Sequence, residues 1–323
     1  MFDMLQNIFS ASFVYSVFRV TTPILFAALG IMISKKAGVT NIAMEGIMLA
    51  SALAGVIGSA LTQSLLLGLI FAVIIGQIMS GILVYFSLKL KSEIFLTGLM
   101  INLLASGATV FVMYLMCNDK GMTTGLSSLV FPKVEIPLIK DIPIIGEIFS
   151  NHNVLTYIAF ISVFVVWFIM NKTKFGLHVR AVGENPLSAQ SVGINVTKTQ
   201  VYAILLSGFF GTLGGIYMSM GYVSWFSRDM TAGRGFIAMA AQNLGRSTAS
   251  GTLFASLAFG VADALANMLQ SLRIPTELVQ SIPYLTTILG LILYSVNEKR
   301  RAAKGKRLRY CKSQAKETKG EVQ

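Results

Sequence analysis

Apolar runs separated by short polar breaks fill almost the whole chain, and the runs have the length of bilayer crossings. Stretches of about 20 residues, the length a helix needs to span hydrocarbon, fall near 18–34, 41–61, 64–88, 93–116, 154–170, 199–220, 249–270 and 276–296. A shorter apolar stretch, 233–245, lies between the sixth and the seventh. Residues 4–17 read as an amphipathic or partly inserted helix, and 117–152, rich in Gly, Pro and Ser, as one large loop. Within that loop, IPLIKDIPIIGEIF has the pattern of a segment that dips back into the interface. The pattern predicts an all-α polytopic membrane protein with about 8–10 passes.

Composition agrees with the pattern. Hydrophobic residues make up 54% of 323 and charged residues 12%, at a mean hydropathy of +0.70, which leaves too little polar surface for a soluble protein of this size. The start lacks a basic region followed by a small-residue cleavage site, so its hydrophobic segment is expected to stay in the mature protein. The formal charge of +12 does not point to nucleic acid. The basic residues lie in short loops (Lys35, Lys36, Lys89, Lys91, Lys172, Lys174, Arg180, Lys198, Arg246) and in the tail EKRRAAKGKRLRYCK. Putting these on one side collects most of the 26 Lys and Arg there, and by the positive-inside rule that side is the cytoplasm. Cys117 then falls outside and Cys311 inside, so they form neither a disulfide nor a metal cluster.

This threading works only if 233–245 also crosses, although thirteen helical residues reach about 20 Å against a core of about 30 Å. The crossing is therefore expected to be discontinuous, with an extended piece around Met230–Gly233 followed by a half-helix. Non-helical backbone at that depth must be buried in protein or line a cavity. A similar break precedes GVTNIAMEGIMLASALAG, where Gly38, Thr40 and Asn41 supply turn and cap chemistry and Gly46 follows Glu45 directly. Glu45 is the one charge in that run, and hydrocarbon excludes such a group at a cost of about 3 kcal/mol.

The two breaks are related. Residues 20–115 and 199–296 each read as helix, Gly-interrupted segment, helix, a loop with KSEIFL or IPTELV, and helix. Glu45-Gly46 matches Gly233-Arg234-Gly235, and Glu93 matches Glu277, while the interrupted segments run in opposite directions. Paired interrupted segments in an inverted repeat point to a transporter's central site, because their helix ends converge near the midplane. Glu45, Asn41, Gly46, Arg234, Phe236 and Trp225 are the candidate substrate-pathway residues. Glu45 reads as the partner of Arg234, as a substrate contact, or as both. Tyr217, Tyr222, Trp225, Phe226 and Phe236 cluster around the second break, where interface anchoring competes with stacking on a substrate ring. GTLGG at 211–215 reads as close helix packing. His152 and His178, a membrane crossing apart, read as structural.

The stretches GVTNIAMEGIMLASALAG, FGLHVRAVGENPLSAQSVGINV, LLSGFFGTLGGIYMSMGY and MTAGRGFIAMAAQNLGRSTASGTLFASLAFGVADALANMLQ resemble the permease subunits of bacterial ABC importers. The branch is that of nucleoside and simple-sugar permeases, related to those for ribose and branched-chain amino acids. The resemblance covers roughly 18–296, leaving 299–323 as a basic cytoplasmic tail behind a permease domain of 1–298. It implies a second permease subunit, a cytoplasmic ABC ATPase that uses ATP and Mg, and an extracytoplasmic substrate-binding lipoprotein, all at a bacterial inner membrane. No GxxxxGK[ST] phosphate loop occurs, so this chain is not expected to bind ATP that way, and with no pair of carboxylates, no His-rich cluster and no nucleophile beside a base, neither a cofactor nor an enzymatic activity is expected on it.

Energy would enter through the cytoplasmic loop 171–198. There Asn185 suits an N-cap, Pro186 the first helical position and Gly193 the left-handed position after the helix. By spacing alone this is a two-turn helix or a solvated loop with one helical turn. The resemblance makes it the coupling helix, with Leu187, Ala189 and Val192 as its apolar contact face, Arg180 and Glu184 at the rim, and Gly183 leading in. A nucleoside is the first expectation for the substrate, because a buried carboxylate repels acidic ligands and accepts hydrogen bonds from neutral ones. A simple sugar such as ribose or galactose is the alternative, and an ion-coupled secondary transporter the alternative of another class.

Overall fold

The computed structural model describes residues 11–123, 125–135, 148, 150–270, 285 and 292. Among them, seven helices are long and apolar enough to cross a membrane. They are α1 (Ala11–Lys36), α2 (Met44–Thr62), α3 (Leu65–Val84), which runs on into a π-helical turn, and α4 (Ile94–Cys117). After them come α5 (Val154–Lys172), α8 (Val196–Met220) and α10 (Ala249–Gln270). Two short helices, α6 (Lys174–Glu184) and α7 (Pro186–Ser191), lie between α5 and α8, and α9 (Arg234–Leu244) precedes α10. A two-residue antiparallel pairing, β1 (Lys133–Val134) with β2 (His152–Asn153), closes the long loop. The expected crossing at 276–296, Glu277, the dipping part of the loop and the basic tail with Cys311 lie outside the described residues.

Where the pattern placed a separate helix at 4–17, the structure runs one helix from Ala11 through the first crossing. The helix runs unbroken from Ala11 to Lys36 with Pro23 inside it, which a membrane helix tolerates when neighbours satisfy the freed carbonyl.

α1 is buried on every side from Thr21 to Ser34 because α8, α9 and α10 pack around it. α8 in turn packs on α1, α2 and α3. The first helix of each repeat thus packs on the second and third elements of the other, as an inverted repeat requires. Gly30 faces Ser207 and Gly214 faces Pro23, so α1 and α8 run antiparallel. In lipid there is no hydrophobic drive between helices, and close approach of small residues takes its place. GTLGG does this work: a Cβ on Gly215 would stand 2.2 Å from the Met48 carbonyl oxygen of α2. The outer helices α3, α4 and α5 present Leu66, Phe71, Leu103, Phe111 and Phe164 outward, the faces that hydrocarbon covers.

At the far end of α1 the long loop is pinned by Asn153, which caps α5 by accepting from Leu155 N and donates to the carbonyls of Phe131 and Gly221. His152 is buried beside it, stacked on Tyr15 at 4.1 Å. Its Nε2–H donates to the Ile148 carbonyl at 2.8 Å, and burial pushes its pKa below the usual imidazole range.

Candidate functional site

Between α1 and α2 the chain does not turn round in water. Residues 37–43 are non-helical and mostly buried, climbing from the end of α1, where Gln200 Nε2 donates to the Ala37 carbonyl, to the middle of α8. There Asn41 Nδ2 donates to Ser207 Oγ at 3.1 Å. α2 therefore begins well inside the bundle. Its first turn has no cap of its own, so α4 supplies one: Asn102 Oδ1 accepts from Gly46 N at 2.8 Å, and Asn102 Nδ2 donates to the Ile42 carbonyl at 2.9 Å.

The second break has the predicted half-helix but not the predicted extended lead. Asp229, Ala232 and Gly233 all have positive φ, so the backbone is tightly turned, with Ala232 N donating to Asp229 O and Arg234 N to Thr231 O. Gly233 (φ 76) starts α9, whose 11 residues reach only about 16 Å. The first turns of α2 and α9 meet. A Cβ on Gly235 would lie 2.7 Å from Glu45 N and 2.8 Å from Glu45 Cα, so only glycine fits where the two helix starts touch.

Glu45 joins them. Its Oε1 accepts from Thr231 Oγ1 at 2.6 Å and from Gly233 N at 2.8 Å, and its Oε2 accepts from Gly235 N at 2.6 Å. An acid in the first turn of α2 thus caps α9 of the other repeat. Both helices point their positive dipole ends at it, which is the favourable place for an anion. The expected pairing of Glu45 with Arg234 is corrected here. Arg234 Nη2 instead meets Asp263 Oδ2 of α10 at 3.2 Å, with the two side chains 19% and 13% exposed. The Glu45 oxygens are taken by Thr231, Gly233 and Gly235, while the Arg234 guanidinium finds Asp263 and the Thr231 carbonyl.

Asp263 is the residue that sequence reasoning missed. Its signal was of the kind that singled out Glu45, one acid inside an apolar crossing, here FGVADALANML.

The candidate pathway residues separate into three groups. Asn41 and Gly46 are buried and bonded within the chain. Arg234 and Trp225 line a cavity of about 470 Å³ together with Arg19, Tyr222 and Asn267. Arg19 lies over the Tyr222 ring at 3.9 Å. Phe236 is exposed and is not among the residues lining that cavity.

On the loop between α5 and α8, Asn185 Oδ1 accepts from Ser188 N at 3.1 Å and Pro186 opens α7. Gly193 has φ 84 and accepts no neighbour within 4 Å of a Cβ. Leu187 and Val192 are 79% and 74% exposed. Ala189 is 3% exposed, so it does not share their face; Ile194 N folds back onto its carbonyl. Gly183 is likewise a packing position, since its Cβ would stand 2.0 Å from the Lys36 carbonyl oxygen. Glu184 is exposed.

The family described as "Branched-chain amino acid transport system / permease component" matches residues 13–294. The chain belongs to this permease family. The permease is 35% identical over 300 residues to the guanosine ABC transporter permease protein NupQ of Bacillus subtilis, covering 90% of this chain and 92% of that one. It is 31% identical to the nucleoside ABC transporter permease protein NupC of Lactococcus lactis, over 90% and 93% of the two chains. It is 30% identical to a putative glucose ABC transporter permease of Haloferax volcanii, over 89% and 92%. Among solved structures it is similar in fold to PsaBC from Streptococcus pneumoniae in complex with Fab, at a TM-score of 0.51 and 14% identity, over 91% and 95%. With its apolar helices, the permease is a multi-pass membrane protein.

Proposed function

We propose that this permease carries nucleosides inward as the membrane-spanning subunit of an ATP-driven ABC importer. The observation that carries the substrate class is the similarity to guanosine and nucleoside permeases over nine-tenths of the chain. In this reading a cytoplasmic ABC ATPase uses ATP and Mg, a second permease subunit completes the pathway, and an extracytoplasmic lipoprotein delivers the substrate. The membrane is the bacterial inner membrane, with α7 and the C-terminus in the cytoplasm. The test is uptake of radiolabelled guanosine by vesicles holding the complete complex. ATP-dependent uptake that other nucleosides compete, and glucose does not, is expected. Saturable glucose uptake favours the sugar reading raised by the Haloferax volcanii relative, and uptake driven by an ion gradient without ATP overturns both.

Orientation has its own test. Cys117, partly exposed at the end of α4, is expected to react with an impermeant maleimide in intact cells. Reaction only after permeabilisation reverses the topology.

For coupling, α7 and the residue that caps its end offer the ATPase an exposed apolar knob in Leu187 and Val192. Leu187→Arg is expected to lower uptake about tenfold or more, the size of effect of losing a buried interface anchor. The thermal midpoint should stay unchanged, because an exposed side chain contributes little to the fold. Parental uptake in this variant removes α7 from the docking surface.

A further inference from the structure

Both oxygens of Glu45 are occupied by α9, and Arg234 is occupied by Asp263. One acid near the middle of the bundle is not committed in this way. Asp229 sits in the turned segment before α9, with φ 50 and its side chain 55% exposed. Its depth is set by Ser106, whose Oγ donates to Asp229 Oδ1 at 3.0 Å. Ser106 lies near the middle of the 24-residue α4, about 17 Å from either end. The neighbouring Arg228 side chain is 63% exposed and reaches Asp229 Oδ2 only at 3.5 Å. A charge facing hydrocarbon at that depth costs about 3 kcal/mol. This edge of the chain therefore faces water, not lipid.

Seven residues on from Asp229, α9 also presents an exposed face. Phe236 is exposed and Met239 and Asn243 are half-buried, while Gly235, Ile237, Ala238, Ala240, Ala241 and Gln242 are buried. Spacings of three and four put Phe236, Met239 and Asn243 on one stripe. At the far end of that stripe Asn243 Oδ1 accepts from Lys35 Nζ, so it reaches the basic end of α1.

We propose that this stripe is the substrate path and that Asp229 and Phe236 are its contacts. The Asp229 carboxylate accepts hydrogen bonds from the N–H or hydroxyl donors of a neutral nucleoside, and the Phe236 ring stacks on its base. A carboxylate has about four lone-pair positions; Ser106 takes one and Arg228 faces Oδ2, so acceptor capacity remains. The site is open and one-sided. It binds weakly, as a conduit must, and its other wall comes from the second permease chain. The inference rests on the nucleoside reading above.

The experiment is guanosine uptake over a range of concentrations in vesicles holding the full complex, with Asp229→Leu, Asp229→Glu, Phe236→Ala and Phe236→Tyr. Asp229→Leu is expected to cut the uptake rate about tenfold, the effect of one lost charge-assisted hydrogen bond. Phe236→Ala should cut it about fivefold or more, as for a lost base-stacking ring. Asp229→Glu and Phe236→Tyr should recover most of the rate. Basal ATP hydrolysis, the thermal midpoint and co-purification of the second permease subunit should match the parent throughout. Parental uptake by Asp229→Leu overturns this site alone. Loss of uptake that tracks loss of the second subunit makes Asp229 a subunit contact and also overturns it. A parental complex that moves no nucleoside overturns the nucleoside reading itself, and this site with it.

Discussion

Glu45→Ala is expected to detach α9 from α2 and to unfold the centre of the permease. The variant removes the acceptor for Thr231 Oγ1, Gly233 N and Gly235 N at once. Two of these donors are backbone groups at the start of a helix, and the tight contact at Gly235 leaves little room for a side chain to replace the carboxylate. A hydrogen bond to a charged group contributes about 1.5–3 kcal/mol, and a donor left buried without a partner costs about as much again. A loss on the order of 4–5 kcal/mol follows, at the upper end for single substitutions. Glu45→Gln is no mild control. Its oxygen can still take Gly233 and Thr231, but its NH₂ then meets Gly235 N–H, donor against donor, for a loss of about 2–3 kcal/mol. Thermal midpoints of the detergent-purified protein should fall in the order parent, Gln, Ala, with uptake falling in step. A parental midpoint for Glu45→Ala would show that α9 is held by its apolar face alone.

The second large effect is expected at Asp263. Asp263→Ala removes the carboxylate that the Arg234 guanidinium meets, in a site where the Arg234 side chain is 19% exposed. Arg234 is also the first residue of α9, at the positive end of the helix dipole, where a cation is disfavoured. Breaking a buried pair from one side costs about 3–5 kcal/mol, whereas replacing both partners with apolar residues of similar size is often neutral. Asp263→Leu with Arg234→Met is therefore expected to recover most of the stability that Asp263→Ala loses. Measured midpoints for the two single variants and the double variant give the coupling. If the double variant is as unstable as the sum of the singles, the ion pair contributes nothing and the two sites act independently.

The two acids differ in how they could be read from the chain. Glu45 stood out because it breaks the apolar run GVTNIAMEGIMLASALAG, and the repeat placed it opposite Gly233-Arg234-Gly235. Opposite charges at matching points suggested an ion pair. The actual partners were the backbone N–H groups of Gly233 and Gly235, which carry no residue-type signal. Asp263 lies in a crossing that reads as plain helix, so nothing local raised the question of its partner. Its partner is 29 residues away, across the turn between α9 and α10.

The capping signals on α7 illustrate the other limit. Asn185, Pro186 and Gly193 mark a short helix because caps act over three or four residues, within reach of the sequence pattern. Which small residue of that helix faces outward depends on what it packs against. Ala189 turned inward and Leu187 outward, and no cap specifies that choice.

By itself, the sequence determined the membrane setting, the crossings now described, the two breaks and their inverted relation. All of these follow from run length, charge placement and local turn chemistry, and lipid enforces them by excluding unsatisfied backbone. Only the tertiary structure decided that α4 caps α2 through Asn102, that Glu45 caps α9, that Arg234 belongs to Asp263, and that Asp229 meets Ser106 of α4. Each of these is a polar group choosing among several partners of similar chemistry within reach. The choice is made by close packing at Gly215 and Gly235, which fixes the distances between segments far apart in the chain.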